Sequence, residues 1–216
     1  MTTRLKIDFV SDVSCPWCAV GLSSLESALT RLGDQVDADL HFQPFELNPD
    51  MPPEGKDIVE YMTQKYGYTP QRIKSNAEAI RVRGEQVGFT FHMDKRTRSY
   101  NTFDAHRLLH WAEIQGRQRA LKHALFKAYF TDGEDPSSRA VLIQVAQQAG
   151  LDVEQAKKIL SSDAYATEVR AREQFYLDQG IHSVPAVIVN DRHLIQGGQP
   201  PEVFEQALLQ IAAETV

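Results

Sequence analysis

The chain opens on alternation. Leu5, Ile7 and Phe9 interleave with Lys6 and Asp8 ahead of Val10, which predicts a strand buried on at least one face. Leu22, Leu25, Leu29 and Leu32 then recur at steps of three and four, an apolar helical stripe that Gly33 closes as a C-cap. A second strand lies within 36–47, with Ala38, Leu40, Phe42 and Phe45 on its apolar side, before Asn48-Pro49 and Pro52-Pro53 stop it. Two strands joined by one helix make a parallel β-α-β unit with a right-handed crossover.

From about Lys56 to Gln179 the period becomes helical, broken at Gly67, Thr69-Pro70, Gly88, Gly133 to Pro136 and Gly150. This stretch predicts about five to seven helices, with the clearest periods over Phe103 to Ile114, Leu121 to Phe130 and Ser138 to Ala149. Strand character returns at Ala186-Val187-Ile188-Val189, turns at Asn190-Asp191 and continues through His193-Leu194-Ile195, a hairpin that Gly197-Gly198 closes. Pro200-Pro201 start a last helix with Phe204, Ala207, Leu208 and Ile211 on one face. The predicted order is β-α-β, a helical block, then β-β-α, an α/β fold with a large all-helical insertion and no internal repeat.

Composition narrows the function. The 216 residues have the apolar and charged content of a soluble globular protein, and a net charge of -6 argues against tracking nucleic-acid phosphates. Lys95-Arg96-Thr97-Arg98 is the one dense basic run and reads as a solvated loop. No apolar stretch approaches the roughly eighteen residues of a membrane span, and the N-terminus enters its strand without a secretion signal. A cytoplasmic protein without nucleic-acid or membrane partners is expected; nothing in the sequence sets the oligomeric state.

Cys15 and Cys18, in Val13-Ser14-Cys15-Pro16-Trp17-Cys18, are the only cysteines. In a reducing compartment a lone CxxC is catalytic or metal-binding rather than a structural staple. Pro16 suits the first helical position, which makes Cys15 the N-cap. Cys18 falls on the leucine stripe, while Cys15 lies about 60° to its side in the open first turn. A helix N-terminus stabilises a thiolate, so Cys15 is the expected attacker and Cys18 the resolving thiol. Packing as ordinary core cysteines would suit Cys18 but not a thiol just ahead of a helix-starting proline. Zinc would need His or carboxylate ligands such as His106, His110 and Glu113, and no second CxxC or HxxxH adjoins the dithiol to complete a site.

These residues, together with Phe45-Glu46-Leu47-Asn48-Pro49, Asn101-Thr102 with Ala105-His106-Arg107-Leu108, Lys127-Ala128-Tyr129-Phe130, Ser183-Val184-Pro185-Ala186 and Gly197-Gly198-Gln199-Pro200, resemble the thioredoxin-like DsbA family, in particular its FrnE-like branch. The resemblance implies a thioredoxin-like domain from 1–53 and 164–216, interrupted by a helical insertion over 54–163. It implies that Pro185 is a cis-proline facing the dithiol and that Val184 offers main-chain groups to an extended substrate. Pro16 and Trp17, between the two thiols, would tune them. Against the Cys-Pro-His-Cys pattern of strongly oxidising DsbA proteins, Trp17 places no cation beside Cys15, so a less oxidising dithiol is expected. The implied activity is thiol–disulfide exchange with protein or small-molecule thiols, with no bound cofactor and with glutathione a candidate redox partner or substrate. Some FrnE-like proteins carry a further cysteine pair, which this chain lacks. Glutathione-dependent hydroxychromene-carboxylate isomerases and kappa-class transferases share the architecture but typically have serine where Cys15 stands. A redox-sensing chaperone is a third reading.

Overall fold

The computed structural model describes residues 2–214. Strand β1 (Thr3–Ser11) leads through helix α1 (Pro16–Leu32) to a parallel strand β2 (Val36–Pro44), with Ile7 beside Leu40 and Phe9 beside Phe42. On the other side of β1 lies antiparallel β5 (Ala186–Val189), followed by β6 (His193–Gln196), so the sheet order is β2-β1-β5-β6. Asn190 and Asp191 both adopt positive φ, 53° and 55°, the backbone that a two-residue hairpin turn demands. Helix α9 (Pro201–Glu214) shares a core with α1 and the sheet through Phe204, Leu208, Leu22, Leu25, Ile7 and Phe9.

The second half of β1 is buried on both faces, which alternation alone does not convey. Asp8, written into the sequence as a polar position, is buried and accepts a hydrogen bond from Gln43 Nε2 at 2.5 Å, with Lys6 Nζ at 3.0 Å. A buried polar group persists when it is paired in this way.

Seven helices lie between β2 and β5: α2 (Ile58–Tyr66), α3 (Pro70–Gln86), α4 (Phe103–Ile114), α5 (Gln118–Lys127), α6 (Arg139–Gln148), α7 (Val153–Leu160) and α8 (Ala166–Asp178). The helical period over Leu121 to Phe130 is broken in the structure. There α5 ends at Lys127 and Ala128–Asp132 widen into a π turn capped by Gly133. Two short strands, β3 (Lys56–Asp57) and β4 (Arg98–Ser99), pair antiparallel and were not expected, because two residues carry no period. The basic run at 95–98 is also not a solvated loop. Arg96 is buried, donates from Nε to Tyr129 Oη at 2.9 Å and stacks 5.2 Å from that ring, while Arg98 donates to the carbonyls of Glu54 and Gly55. Guanidinium groups pair with oxygens and lie on rings, and a count of charges does not register this.

Helices α4 to α7 enclose a second core of Leu108, Leu121, Leu125, Leu142, Val145 and Ile159, which Val13 from the β1–α1 connection joins. Helix α5 is tied to α1 by Glu26, which accepts from Arg119 Nε at 2.6 Å and contacts His123 Nε2 at 2.9 Å. Among the described residues no helix is long and apolar enough to cross a membrane.

Candidate functional site

Asp12 organises the turn from β1 into α1. Its carbonyl accepts the Cys15 N–H at 3.2 Å, and its carboxylate accepts the Ser14 N–H at 3.1 Å, the Ser14 hydroxyl at 2.9 Å and the Leu47 N–H at 2.7 Å. His106 Nε2 lies 3.6 Å from Asp12 Oδ1. Burial by itself would raise the Asp12 pKa; His106 and the two N–H donors outweigh it and hold the carboxyl at about 2. The result is Cys15 as N-cap, with φ −91° and ψ 111°, and Pro16 in the first turn.

Both cysteines are free thiols, and they are covered to similar degrees: Cys15 is 5% exposed and Cys18 fully buried. Cys15 is thus less open than a helix mouth suggests. Its Sγ donates to Val184 O at 3.7 Å, and the side chain makes no capping bond to the helix. The first turn is short of donors, since Pro16 has no N–H and the Cys18 N–H goes to the Cys15 carbonyl at 3.1 Å. Cys18 sits deeper. Burial pushes its thiol well above the ordinary value, Cys15 adds to that rise, and the charge of Lys122 opposes it.

The structure brings Val184 and Pro185 to the dithiol from 169 residues away. Their peptide bond is cis, and Pro185 packs so closely on α1 that a Cβ on Gly21 would come 3.1 Å from Pro185 Cγ and 3.3 Å from Gly198 Cα. Trp17 is 39% exposed, and its Cε3 would lie 3.6 Å from a Cβ on Gly198. The side chains considered for zinc have three separate partners: His106 meets Asp12, the His110 ring lies 5.2 Å from that of Tyr165, and Glu113 pairs with His41 at 2.9 Å. Among the described residues no three metal-ligating side chains gather as a site.

Sequence reasoning missed Asp12, Arg96 and Lys122. Asp12 carried a signal, an aspartate two residues before Ser14 at a strand end, the pattern of an Asx turn. Arg96 donates from Nη2 to Ser14 O at 3.4 Å, one residue ahead of Cys15. Lys122 lies on α5 four residues from Gln118 and four from Phe126, on a buried face, and a lysine in that place was the available clue. It is fully buried, its Nζ has no hydrogen-bond partner among the described residues, and it sits 4.8 Å from the Phe126 ring. Burial lowers its pKa to about 8, against the pull of Cys18, Asp12 and Cys15. Beside Leu47, an open cavity of about 330 Å³ between the Asn48–Met51 turn and α2 has Lys56, Tyr61 and Lys65 on its wall.

A dithiol at the first turn of α1, set against a cis-proline that precedes β5 in a β2-β1-β5-β6 sheet, is the architecture of thioredoxin-like redox proteins. Residues 6–209 match the DSBA-like thioredoxin domain, and the chain belongs to that family. The solved structure of a probable DsbA oxidoreductase, SCO1869 from Streptomyces coelicolor, superposes with a TM-score of 0.89 at 32% identity, over 95% of this chain and 89% of that one. YwbO of Bacillus subtilis, an uncharacterized protein, is 26% identical over 209 residues, 96% of each chain. A 2-hydroxychromene-2-carboxylate isomerase shares the fold, with a TM-score of 0.71 at 15% identity over 97% of each chain.

Proposed function

We propose that the chain is a thiol–disulfide oxidoreductase that exchanges disulfides with protein or small-molecule thiols through Cys15-Pro16-Trp17-Cys18. The observation that carries this reading is the position of Cys15 Sγ, 3.7 Å from Val184 O at the start of α1, with Cys18 buried behind it. The Cys15 thiolate attacks one sulfur of a substrate disulfide, that S–S bond breaks, and a substrate thiolate leaves. Cys18 then attacks Cys15 Sγ and releases the second thiolate, so two electrons pass to the substrate and the Cys15–Cys18 disulfide closes. The reverse sequence oxidises a substrate dithiol. Val184 would pair its main chain with an extended substrate, and the half-covered Trp17 would add apolar contact. No bound cofactor is required, because the electrons reside in the dithiol; glutathione is the proposed recycling partner. The motif runs favour the FrnE-like branch, and a lone CxxC without structural disulfides favours the cytoplasm.

A second reading has one observation behind it. The cavity carries Lys56 and Asp50 beside Lys65, whose Nζ donates to Leu47 O and Asn48 Oδ1, a mixed-charge wall that would suit zwitterionic glutathione, and the isomerase's shared fold supports a glutathione-dependent isomerase or transferase as this second reading. Cys15→Ser and Cys18→Ser separate the two. Exchange through Cys15 predicts that Cys15→Ser abolishes reduction of a model disulfide, and that Cys18→Ser accumulates a mixed disulfide on Cys15, visible by intact mass. Exchange that survives in Cys15→Ser would sink the first reading, and glutathione-dependent isomerase activity retained there would establish the second.

A further inference from the structure

A cluster of buried carboxylates that no step of disulfide exchange uses lies where α8 meets the segment after β2. Arg170 Nη1, on α8, donates to Glu46 Oε2 and, at 2.8 Å, to Glu173 Oε2. The Glu46 side chain is 2% exposed and that of Glu173 10%, yet each leaves its second oxygen, Oε1, buried without a hydrogen-bond partner among the described residues. Arg170 is half-exposed, and its guanidinium lies 3.8 Å from the centre of the Phe103 ring. The other charged groups acting on Glu173 are Glu46 and, from α4, His106, whose Nε2 lies 3.6 Å from Asp12 Oδ1. Arg172, also on α8, turns to Gln43 Oε1 at 3.0 Å.

We propose that Glu46 and Glu173 share one proton, and that this proton keeps the Cys15 turn in place. This control rests on the disulfide-exchange reading and makes its site sensitive to pH. The route is short. Glu46 is followed by Leu47, whose N–H donates to the Asp12 carboxylate at 2.7 Å, and Asp12 in turn accepts the Ser14 N–H and, through its carbonyl, the Cys15 N–H. Glu46, Arg170 and Glu173 are thus positioning residues for Cys15.

The physical ground is the count of charges and donors. One guanidinium does not neutralise two buried carboxylates, and like charges held on the same nitrogen oppose ionisation of one of them. A proton on Glu173 leaves the three side chains without net charge and gives one of the two stranded oxygens a donor. Burial raises the Glu173 pKa and the Glu46 carboxylate adds to the rise, against the pull of His106 and Arg170. When alkali takes the proton to solvent, two anions meet in a covered place. Glu173 is fixed in the hydrogen-bonded frame of α8, whereas Glu46 lies in an irregular connection, so relief falls on Glu46 and draws Leu47 away from Asp12.

The test mixes reduced protein with a bis-nitrobenzoate disulfide, where the first release of thionitrobenzoate reports attack by Cys15. Glu173→Gln keeps a donor in the place of the protonated acid and cannot ionise. The ratio of its rate to the wild-type rate should climb by about fivefold from mildly acid to alkaline pH, the low end of coupling between distinct sites. A ratio that stays flat over that range overturns the proposal. Absence of release in the wild type would remove the disulfide-exchange reading and the inference with it. The proton itself is read without activity, by carbon NMR titration of the glutamate carboxyls in wild-type protein and in Glu46→Gln. Glu173 should ionise above the ordinary glutamate range in the wild type and closer to it in Glu46→Gln. An ordinary value in the wild type, or the same value in both proteins, overturns the sharing and leaves disulfide exchange intact.

Discussion

Lys122→Met should make the reduced protein more stable at neutral pH. An ammonium that titrates at about 8 in the fold and at 10.5 in the unfolded chain is penalised by its burial. At 1.36 kcal/mol per pKa unit the penalty is about 3 kcal/mol. The side chain is fully covered, so solvent screening does not discount that figure. Methionine keeps most of the packing but forfeits the contact with the Phe126 ring, 4.8 Å away. Such a contact is worth about 2 kcal/mol when desolvated, leaving a net gain of about 1 kcal/mol. The sign with pH follows from the direction of the shift. Below pH 8 both states are protonated and the whole penalty is present; between 8 and 10.5 the folded state sheds its proton first, and above 10.5 the penalty is gone. Wild-type stability should therefore rise with pH relative to the variant. Urea unfolding of both proteins under excess reductant, near pH 7 and again above 10.5, measures the difference. A variant less stable than wild type at neutral pH, or an advantage that persists undiminished in alkali, would refute the reasoning.

Asp12→Asn should destabilise by about 2 kcal/mol at neutral pH, the equivalent of lowering a carboxyl from 3.8 to about 2. Because the folded value is depressed, the contribution is whole above pH 4 and lost as pH falls through 2, so the gap to wild type in urea should close in acid; a gap independent of pH would contradict the His106 pairing. Gly21→Ala gains up to about 1 kcal/mol in helix propensity and forces a Cβ to 3.1 Å from Pro185 and 3.3 Å from the Gly198 backbone. Overpacking of this kind costs about 1–3 kcal/mol, so Tm should fall and disulfide exchange should slow as the Val184–Pro185 segment shifts; unchanged rate and Tm would remove that segment's assigned part. Trp17→His, tested in glutathione buffers near pH 6, should raise the dithiol potential by about 30 mV, a tenfold change in equilibrium constant, and an unchanged or lower value would show that the intervening pair does not tune the thiols.

The outline of the sheet was legible because strands and helices differ in period. Phe103–Ile114 and Ala186–Val189 appear where their patterns end, and Cys15 is the N-cap because Pro16 follows it. Where the reading went astray, a residue's partner lay far along the chain. Arg96 looked solvated until Tyr129 and the Ser14 carbonyl supplied it with acceptors. The π turn at Ala128–Asp132 was hidden because its residues keep a helical apolar pattern through Phe130. Leu47 belongs to a segment recognised from its motif, yet its N–H bond to Asp12 is a property of the folded turn.

By itself the sequence determined that two thiols flank the start of the first helix, that a β-α-β unit and a β-β-α unit bracket a helical block, and that these 216 residues hold no other cysteine. These follow from local rules: periodicity, proline geometry and residue count. The tertiary structure alone decided that both thiols are covered, that Val184 faces Cys15, and that Asp12 with its His106 contact and Lys122 on α5 are buried in the same interior. Burial and electrostatics are set by whatever surrounds a group in space, and around this dithiol the surroundings come from segments more than a hundred residues apart.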